Sequence, residues 1–278
     1  MISFFAAESY VGHSYSKHQK ELVTRNVSSR IRAEEMSEYL GAKLNPKEGF
    51  ENDVCIHVKP KDFSKVRDGD WVDILDGTDL ISKLKARPKV KGIAASKCGF
   101  EYFKKILPNE LVLIPSHHIN QERIRRTRTE ISIGGFTGVP SPAGFKLYED
   151  IAGRMKEIGF DFKTCWNYKT RQDAMDFYKS IDLFIYAEWV GGDSPFKIPT
   201  KMINAGSFGV PAISISSTAL QGNKEIEDYY VRAFDVEDML FKAVAFKDRE
   251  YHKAWADKVA KFSENYHIER IAELYRNL

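Results

Sequence analysis

The chain has 278 residues, which is enough for two domains of ordinary size, each with its own hydrophobic core. Its composition, 43% hydrophobic and 29% charged, is that of a folded globular protein. The 42 Lys and Arg residues exceed the 39 Asp and Glu residues by only three. This small excess argues against a dedicated nucleic-acid-binding protein, because such proteins carry a larger and clustered basic charge.

The three cysteines, Cys55, Cys98 and Cys165, are widely spaced and form neither a CxxC pair nor a metal-ligand pattern. We expect reduced, mostly buried thiols and a cytoplasmic protein. The apolar start ISFFAA has no basic segment before it, so a secretory signal is not expected. No apolar run approaches the roughly 18 residues of a membrane span, so no transmembrane segment is predicted.

Apolar runs alternate with helical patterns in the first half of the chain. Strands are predicted at residues 2–7, 53–58, 70–75, 90–95 and 110–115. Helices are predicted from an N-cap at Ser28 or Ser29 to a stop at Gly41, and from Ser96 through Phe103. Strands that alternate with helices pair in parallel, so this half is predicted to be a Rossmann-like α/β domain with functional loops at the carboxyl ends of its strands.

A long polar segment, residues 8–27, follows the first predicted strand. A compact fold needs a shorter connection, so the segment is a candidate functional loop or lid, with a mobile surface excursion as the alternative. Arg30 and Arg32 then place positive charge in the first turn of the predicted helix. We expect one of them to meet a phosphate or an acidic group and the other to be exposed.

His117 and His118 come directly after the strand predicted at 110–115. A side chain at that carboxyl end faces the cleft of a doubly wound domain, so one of the pair is a candidate for a functional role. A structural role at a domain crossing is the alternative. No HExxH pattern accompanies them, and no metal site is predicted. Residues 120–129, which are dense in Arg and Glu, are the predicted linker.

The alternation of strands and helices begins again in the second half. Strands are predicted at residues 131–133, 162–166, 182–187, 211–216 and 230–234. Helices are predicted at residues 148–158, 173–180, 200–208, 236–246 and 251–278, the last of them broken near Asn265. A second Rossmann-like domain is therefore expected.

A glycine-rich turn is predicted after the first strand of this half, in Gly134-Gly135-Phe136-Thr137-Gly138. Such a turn lets the backbone approach a phosphate closely. Its GGxxG spacing is not the GxGxxG dinucleotide fingerprint, and no acidic residue follows a second strand at the expected place. An enzyme that uses nicotinamide or flavin is therefore disfavoured.

The stretch from 194 to 214 combines prolines, charge and helical periodicity. Two prolines hold its first part extended, Thr200 is a predicted N-cap, and Gly209 is the predicted end of a short helix. Lys197 and Lys201 lie on the loop and first turn of that helix, where free N–H groups and the helix dipole already favour an anion. The pair indicates a phosphate or nucleotide site, with a solvated surface pair as the alternative.

Several segments resemble the donor-binding domain of GT-B glycosyltransferases, in particular the large retaining group that uses nucleotide sugars. They are IGGFTG, DAMDFYKSIDLFIYAE, GVPAIS and the closing FSENYHIERIAELYRNL. In the first half the likeness rests on SSRIRAE, on the serine of KGIAAS and on ELVLIPSHHIN. The resemblance covers nearly the whole chain and is most specific between residues 181 and 214. It implies an α/β fold of two Rossmann-like domains whose parallel sheets face a cleft.

In that family two glutamates, eight positions apart, precede the GVP turn and hold the donor sugar and the ribose. Phe196 and Asn204 stand at these places here, and the chain resembles a compact variant in which KIPTKxxNA supplies the donor pocket. The resemblance implies that Asn204 hydrogen-bonds ribose and that Lys197 or Lys201 neutralises the diphosphate. The predicted donor-binding residues are Gly134, Gly135, Phe136, Lys197, Pro199, Thr200, Lys201 and Asn204. The predicted catalytic residues are His118 and Lys201, and the predicted acceptor-side residues are Ser29, Arg30 and His117.

The predicted function is transfer of a sugar from a nucleotide diphosphate sugar to an acceptor hydroxyl, without a metal or other cofactor and, as the resemblance implies, with retention. The acceptor is left open among a glycan, a lipid-linked sugar, a small molecule and a nucleic acid. The alternatives are another GT-B activity, namely DNA-base glucosylation of the phage type or sugar epimerisation, and a non-catalytic nucleotide-sugar-binding protein. The predicted domains are an acceptor-side domain at 1–122, a donor domain at 123–262 and a C-terminal helix at 263–278 that packs back on the first domain.

Overall fold

The computed structural model describes residues 1–6, 13–16, 21–24, 29–75, 79–138, 142–166, 168, 170–187, 196, 198–215, 220 and 222–278. The chain divides into two compact units. Unit 1 comprises Met1–His117, Pro195–Ile198 and Ile268–Leu278, and unit 2 comprises His118–Ser194 and Pro199–His267. The domain limits drawn from the sequence at residues 122 and 262 stay a prediction.

Unit 1 is built on a parallel six-stranded sheet in the order β4-β1-β5-β6-β7-β8. Its strands are β1 (Ile2–Ala6), β4 (Lys43–Leu44), β5 (Val54–Val58), β6 (Trp71–Leu75), β7 (Lys91–Ala94) and β8 (Leu111–Leu113). The central strands are short apolar runs buried on both faces, as parallel strands between helix layers must be. The strands predicted from the apolar runs are therefore confirmed, each within a few residues.

The helices of unit 1 cover both faces of that sheet. A π-helical segment (Arg30–Glu35) runs into α1 (Met36–Leu40), and α2 (Leu80–Lys85), α3 (Lys97–Ile106) and α9 (Ile268–Arg276) complete the unit. The left-handed conformation of Gly41, with φ of 61°, ends α1 as predicted. Ser96 caps α3 by accepting a hydrogen bond from the Gly99 N–H at 3.1 Å. From the C-terminal helix, Tyr275 packs edge-on against Phe4 of β1, with ring centroids 5.4 Å apart.

Two expectations about the start of unit 1 are corrected. Ser29 does not cap the first helix, because its backbone is already helical and its side chain makes no capping hydrogen bond. Ser28, the other predicted N-cap, lies outside the described residues. The polar segment at residues 8–27 is not only loop, because β2 (His13–Ser16) and β3 (Glu21–Thr24) pair antiparallel within it.

A buried ion pair joins the first helix of unit 1 to the sheet. Arg32 and Asp73 have side chains that are 1% and 0% exposed, and Arg32 Nε donates a hydrogen bond to Asp73 Oδ2. Burial opposes the charge of Arg32, but the adjacent carboxylate outweighs it and raises the pKa of the guanidinium. Arg32 thus meets an acidic group, and this part of the expectation is confirmed. The expectation that the other arginine is exposed is wrong, because the side chain of Arg30 is only 18% exposed and its Nε lies 3.8 Å from Glu35 Oε1.

Unit 2 contains a parallel five-stranded sheet in the order β10-β9-β11-β12-β13. Its strands are β9 (Ile133–Thr137), β10 (Asp161–Cys165), β11 (Leu183–Ala187), β12 (Ala212–Ile215) and β13 (Val231–Ala233). Its helices are α4 (Pro142–Glu157), α5 (Arg171–Lys179), α6 (Thr200–Ser207), α7 (Val236–Ala245) and α8 (Arg249–Ser263). The predicted break in the last helical pattern is confirmed, since a 3₁₀ turn at Glu264–Tyr266 separates α8 from α9.

The glycine motif of unit 2 is a strand, not the predicted turn. Gly134 and Gly135 lie within β9 and pair with β10 on one side and β11 on the other. A Cβ on Gly135 would lie 2.7 Å from the side chain of Ile181 and 3.0 Å from the backbone oxygen of Lys163. These residues are glycines because their neighbours pack closely, and their backbone groups are used by the sheet.

We expect Gly135→Ala to lower the free energy of unfolding by about 1–3 kcal/mol through overpacking against backbone. Gly134→Ala is the matched control, because its nearest contact, at 2.8 Å, is the flexible end of Met155. Urea unfolding of the two variants measures the difference. Equal losses would show that the contact with the Lys163 backbone does not make glycine more necessary at 135 than at 134.

Candidate functional site

The ammonium group of Lys201 lies at the carboxyl end of the unit 2 sheet. Its Nζ is 4.9 Å from the ring centroid of Phe136 and 5.7 Å from that of Tyr186. Phe136 is the fourth residue of β9 and Tyr186 the fourth residue of β11, and both are buried. The two rings hold the cation by their electron-rich faces. Helix α6 therefore delivers a positive charge to the edge of the sheet where α/β proteins bind ligands.

Gly138 makes the approach of Lys201 to the end of β9 possible. Its φ is 105°, a conformation that side chains disfavour. A Cβ at this position would lie 2.7 Å from Nζ and 2.8 Å from Cε of Lys201. The glycine motif predicted that the backbone comes close to a phosphate. In the structure only its last glycine, Gly138, allows a close approach, and the group that approaches it is the Lys201 side chain.

A group of buried and partly buried hydroxyls supports the first turn of α6. The Tyr178 hydroxyl donates to the Lys201 carbonyl oxygen at 3.2 Å and shares side-chain hydrogen bonds with Asn204 and Tyr168. Thr137 Oγ1 lies 2.6 Å from the hydroxyl of Tyr168. Burial raises the pKa of Tyr168 to about 12, so this phenol is neutral near pH 7. The group orients the helix start through neutral hydrogen bonds, and neither tyrosine was predicted as a site residue from the sequence.

Asn204 is placed differently from its predicted role as a ribose ligand. Its side chain is in the buried interior of unit 2, and its Oδ1 accepts a hydrogen bond from the Ile119 N–H at 3.1 Å. The amide also bonds to Tyr178. Asn204 therefore anchors the segment that follows His118, because its hydrogen-bonding groups are engaged by the protein.

The predicted catalytic residue His118 is buried. Its backbone N–H donates to the Tyr266 carbonyl oxygen at 2.9 Å, and its ring packs edge-on against His267 with centroids 5.4 Å apart. Only 1% of the residue is exposed. This placement supports the structural alternative for His118, since a proton-transferring group must reach its substrate.

The other predicted donor-binding residues divide into three cases. Pro199, not Thr200, occupies the cap position of α6, because its carbonyl oxygen accepts from the N–H groups of Met202 and Ile203. Thr200 is instead the first helical residue. Gly134, Gly135 and Phe136 are core residues of β9. Lys197 lies outside the described residues.

The predicted acceptor-side residues of unit 1 meet at an acidic side chain. His117 Nε2 lies 3.1 Å from the Ile31 carbonyl oxygen and 3.7 Å from Glu35 Oε2. Arg30 Nε lies 3.8 Å from the other oxygen of Glu35. Ser29, which precedes Arg30 in the chain, is buried. The structure thus brings Arg30 and His117 together around Glu35, which the sequence did not single out because a helical glutamate is ordinary.

Unit 1 also contains a cavity of about 840 Å³ on one face of its sheet, lined in part by Phe5, Phe50 and His57. The rings of Phe5 and His57 stack with centroids 4.8 Å apart. His57 Nε2 is 3.0 Å from Asp70 Oδ2, and Arg67 Nη2 is 3.1 Å from Asp70 Oδ1. The cavity therefore combines aromatic surface with a polar wall, which is the composition of a small-molecule site.

No protein-family model matches the sequence, and no curated protein is similar to it in sequence. In the described part of the chain no helix is long and apolar enough to cross a membrane. The fold, in contrast, is similar to several solved structures.

The structure of TarM matches with a TM-score of 0.58 at 12% identity over 98% of this chain and 61% of that one. Sucrose-phosphate synthase from Thermosynechococcus elongatus matches with a TM-score of 0.51 at 13% identity over 81% of this chain and 68% of that one. The GtfA/B complex matches with a TM-score of 0.52 at 11% identity over 92% of this chain and 60% of that one. The chain thus spans about three fifths of the length of TarM, and at this identity the likeness concerns the fold. The chain has the α/β fold of the GT-B glycosyltransferases, with two units that each contain a parallel sheet.

Proposed function

We propose that the protein transfers a sugar from a nucleotide diphosphate sugar to an acceptor hydroxyl. The observation that carries this proposal is the position of Lys201, whose ammonium group is held at the carboxyl edge of the unit 2 sheet. Negative charge builds on the leaving diphosphate during transfer, and a fixed cation stabilises it. The N–H groups at the start of α6 add to the same potential.

We extend the proposal to a retaining transfer in which Lys201 takes the charge-neutralising role that a metal has in other enzymes. Retention rests on the family resemblance alone. The nucleotide-binding role is supported by a solved structure of similar fold, a mutant of S. aureus TarM that was determined in complex with UDP. Its TM-score to this chain is 0.54 at 12% identity, over 96% of this chain and 61% of that one.

For the acceptor we propose the cavity of unit 1. Phe5 and Phe50 offer apolar faces on which a sugar or another ring can lie, and the His57 and Asp70 pair offers hydrogen-bonding groups for hydroxyls. Lys47, Lys61 and Lys65 at the same cavity favour an acceptor that carries negative charge. Arg30, Glu35 and His117 remain candidate acceptor-side groups of the same unit.

A thermal-shift screen of the full chain against UDP, GDP, ADP, CMP and dTDP, each with its sugar derivatives, tests the proposal. We expect one nucleoside diphosphate to raise the melting temperature, with about 2.7 kcal/mol of stabilisation at a concentration 100 times its Kd. The matching sugar nucleotide is then supplied with candidate acceptors, with and without EDTA. The anomeric configuration of the product, measured by NMR, decides retention. If no nucleotide stabilises the protein, the proposal is wrong.

A second candidate is a protein that binds a nucleotide sugar without turning it over. The buried position of His118 favours it, because one of the two residues predicted from the sequence as catalytic does not reach solvent. Nucleotide-induced stabilisation without transfer to any acceptor, and without hydrolysis of the sugar nucleotide, would distinguish this candidate from the enzyme.

A further inference from the structure

We infer that unit 2 has a second anion site, at the amino ends of its strands, which takes a multivalent phosphate anion of the inorganic polyphosphate type. The site is a pocket of about 450 Å³ between the segment at residues 125–131 and helix α8. It lies at the end of the sheet opposite to Lys201, because Ile131 and Gly209 of its lining precede β9 and β12. The inference is independent of the proposed glycosyl transfer.

The lining of this pocket is strongly basic. Its cationic residues are Arg125, Arg126, Arg128, Arg249 and Lys253, and its acidic residue is Asp257. Five positive charges against one negative charge leave an excess of four. The whole chain has a net charge of only +3, so the basic excess is concentrated here.

Two arginines of the pocket converge on one buried carboxylate. Arg126 Nε lies 2.8 Å and Arg128 Nε lies 3.1 Å from the same oxygen of Asp182, which is 0% exposed. The other oxygen of Asp182 accepts hydrogen bonds from the backbone N–H groups of Ser132 and Ile133 at 2.7 and 2.8 Å. The carboxylate is thus fully engaged and offsets one of the two guanidinium charges. The second charge remains for a ligand.

The remaining cations line the opening. Arg125, Arg249 and Lys253 are exposed, and within the described residues none of the three has an ion-pair partner. Three positively charged side chains without an ion-pair partner among the described residues therefore surround the pocket, and Arg126 and Arg128 add positive charge at its floor.

The positive charge comes from the arginines and Lys253 and not from the histidine of the lining. Burial lowers the pKa of His252, and its Nε2 lies 2.8 Å from the carbonyl oxygen of Asp182. A neutral imidazole that donates to this carbonyl agrees with both observations.

A multivalent phosphate fits this chemistry best. Guanidinium groups bind phosphate oxygens in pairs, and the five cations less the charges of Asp257 and Asp182 leave an excess of three, which exceeds what one phosphate group neutralises. The pocket volume is that of a small-ligand site, whereas duplex nucleic acid needs an extended basic surface.

Isothermal titration of the full chain with inorganic tripolyphosphate tests the inference. Binding is expected, and the double variant Arg125→Gln with Lys253→Gln should weaken it by about tenfold or more, equivalent to about 1.4 kcal/mol. Lys261→Gln on the same helix is the matched control and should leave the affinity unchanged. Lys201→Met should also leave it unchanged, which separates this site from the proposed donor site. Melting temperatures verify that the variants are folded.

Three results would overturn the inference. The first is no binding of tripolyphosphate at millimolar concentration, and the second is binding that Lys201→Met removes and the double variant does not. The third is tighter binding of duplex DNA or RNA than of tripolyphosphate, in a manner that requires Arg125 and Lys253. This result would identify the pocket as part of a nucleic-acid-binding surface. The glycosyl-transfer proposal is tested separately by the nucleotide screen.

Discussion

Asp73→Asn is expected to lower the free energy of unfolding by about 3–5 kcal/mol, because it leaves the charge of Arg32 buried without its counter-charge. Arg32 is 1% exposed, and its guanidinium also contacts the Ser116 hydroxyl, 3.3 Å from Nη1. A hydroxyl compensates a buried guanidinium far less than a carboxylate does. Urea unfolding followed by circular dichroism measures the loss.

The control for this prediction is the double variant Arg32→Met with Asp73→Leu, in which both charges are removed together. We expect it to be more stable than Asp73→Asn alone, since apolar replacement of a whole buried pair is often neutral or stabilising. A double variant at least as unstable as the single one would show that the shape of the pair, and not its unbalanced charge, matters at this site.

Lys201→Met is expected to weaken the binding of the preferred nucleoside diphosphate by about tenfold to a hundredfold, because a charge-assisted contact contributes about 1.5–3 kcal/mol. Methionine keeps most of the aliphatic length of lysine, so the melting temperature of the ligand-free protein should change little. Titration with the nucleotide identified by the screen measures the affinity. Lys146→Met, on the exposed side of α4, is the matched control for loss of one charge in unit 2.

Gly138→Ala tests the same site without removing the lysine. The new methyl group would occupy the space of Lys201 Nζ, at 2.7 Å, and would move the ammonium group away from the end of β9. We therefore expect reduced nucleotide affinity in this variant too. Wild-type affinity in both variants, together with stabilisation by the same nucleotide, would place the diphosphate away from Lys201.

Most strands of the two parallel sheets could be predicted from the sequence because their residues are short apolar runs between polar segments. The exceptions are β4, which has two residues, and β9, whose glycines indicated a turn. Parallel strands are buried on both faces, so their composition alone separates them from the loops around them. The ends of helices were less predictable. Ser96 and Gly41 were assigned correctly because capping and left-handed conformation depend on the residue itself. Thr200 was assigned incorrectly because the preceding Pro199 carbonyl takes the cap position.

At the candidate site, local sequence patterns are not sufficient to predict which groups meet. The glycines of IGGFTG suggested a phosphate-binding turn, since a glycine permits both close packing and unusual backbone angles. Only the neighbours of each glycine separate these uses: Gly135 is confined by Ile181 and a strand backbone, whereas Gly138 has positive φ beside Lys201. In the same way, the sequence indicates that Asn204 is a ligand-binding residue, and only the structure shows that its Oδ1 accepts a hydrogen bond from the Ile119 N–H.

The sequence by itself determined the α/β class, the alternation of most strands and helices, and the presence of a lysine at the start of α6, because these follow from local composition and periodicity. The tertiary structure decided which groups Lys201 meets, that His118 and Asn204 are interior residues, and that five cations from two distant segments share one pocket. Burial and charge pairing depend on residues far apart in the chain, such as Arg126 and Asp182, and no local pattern records that contact.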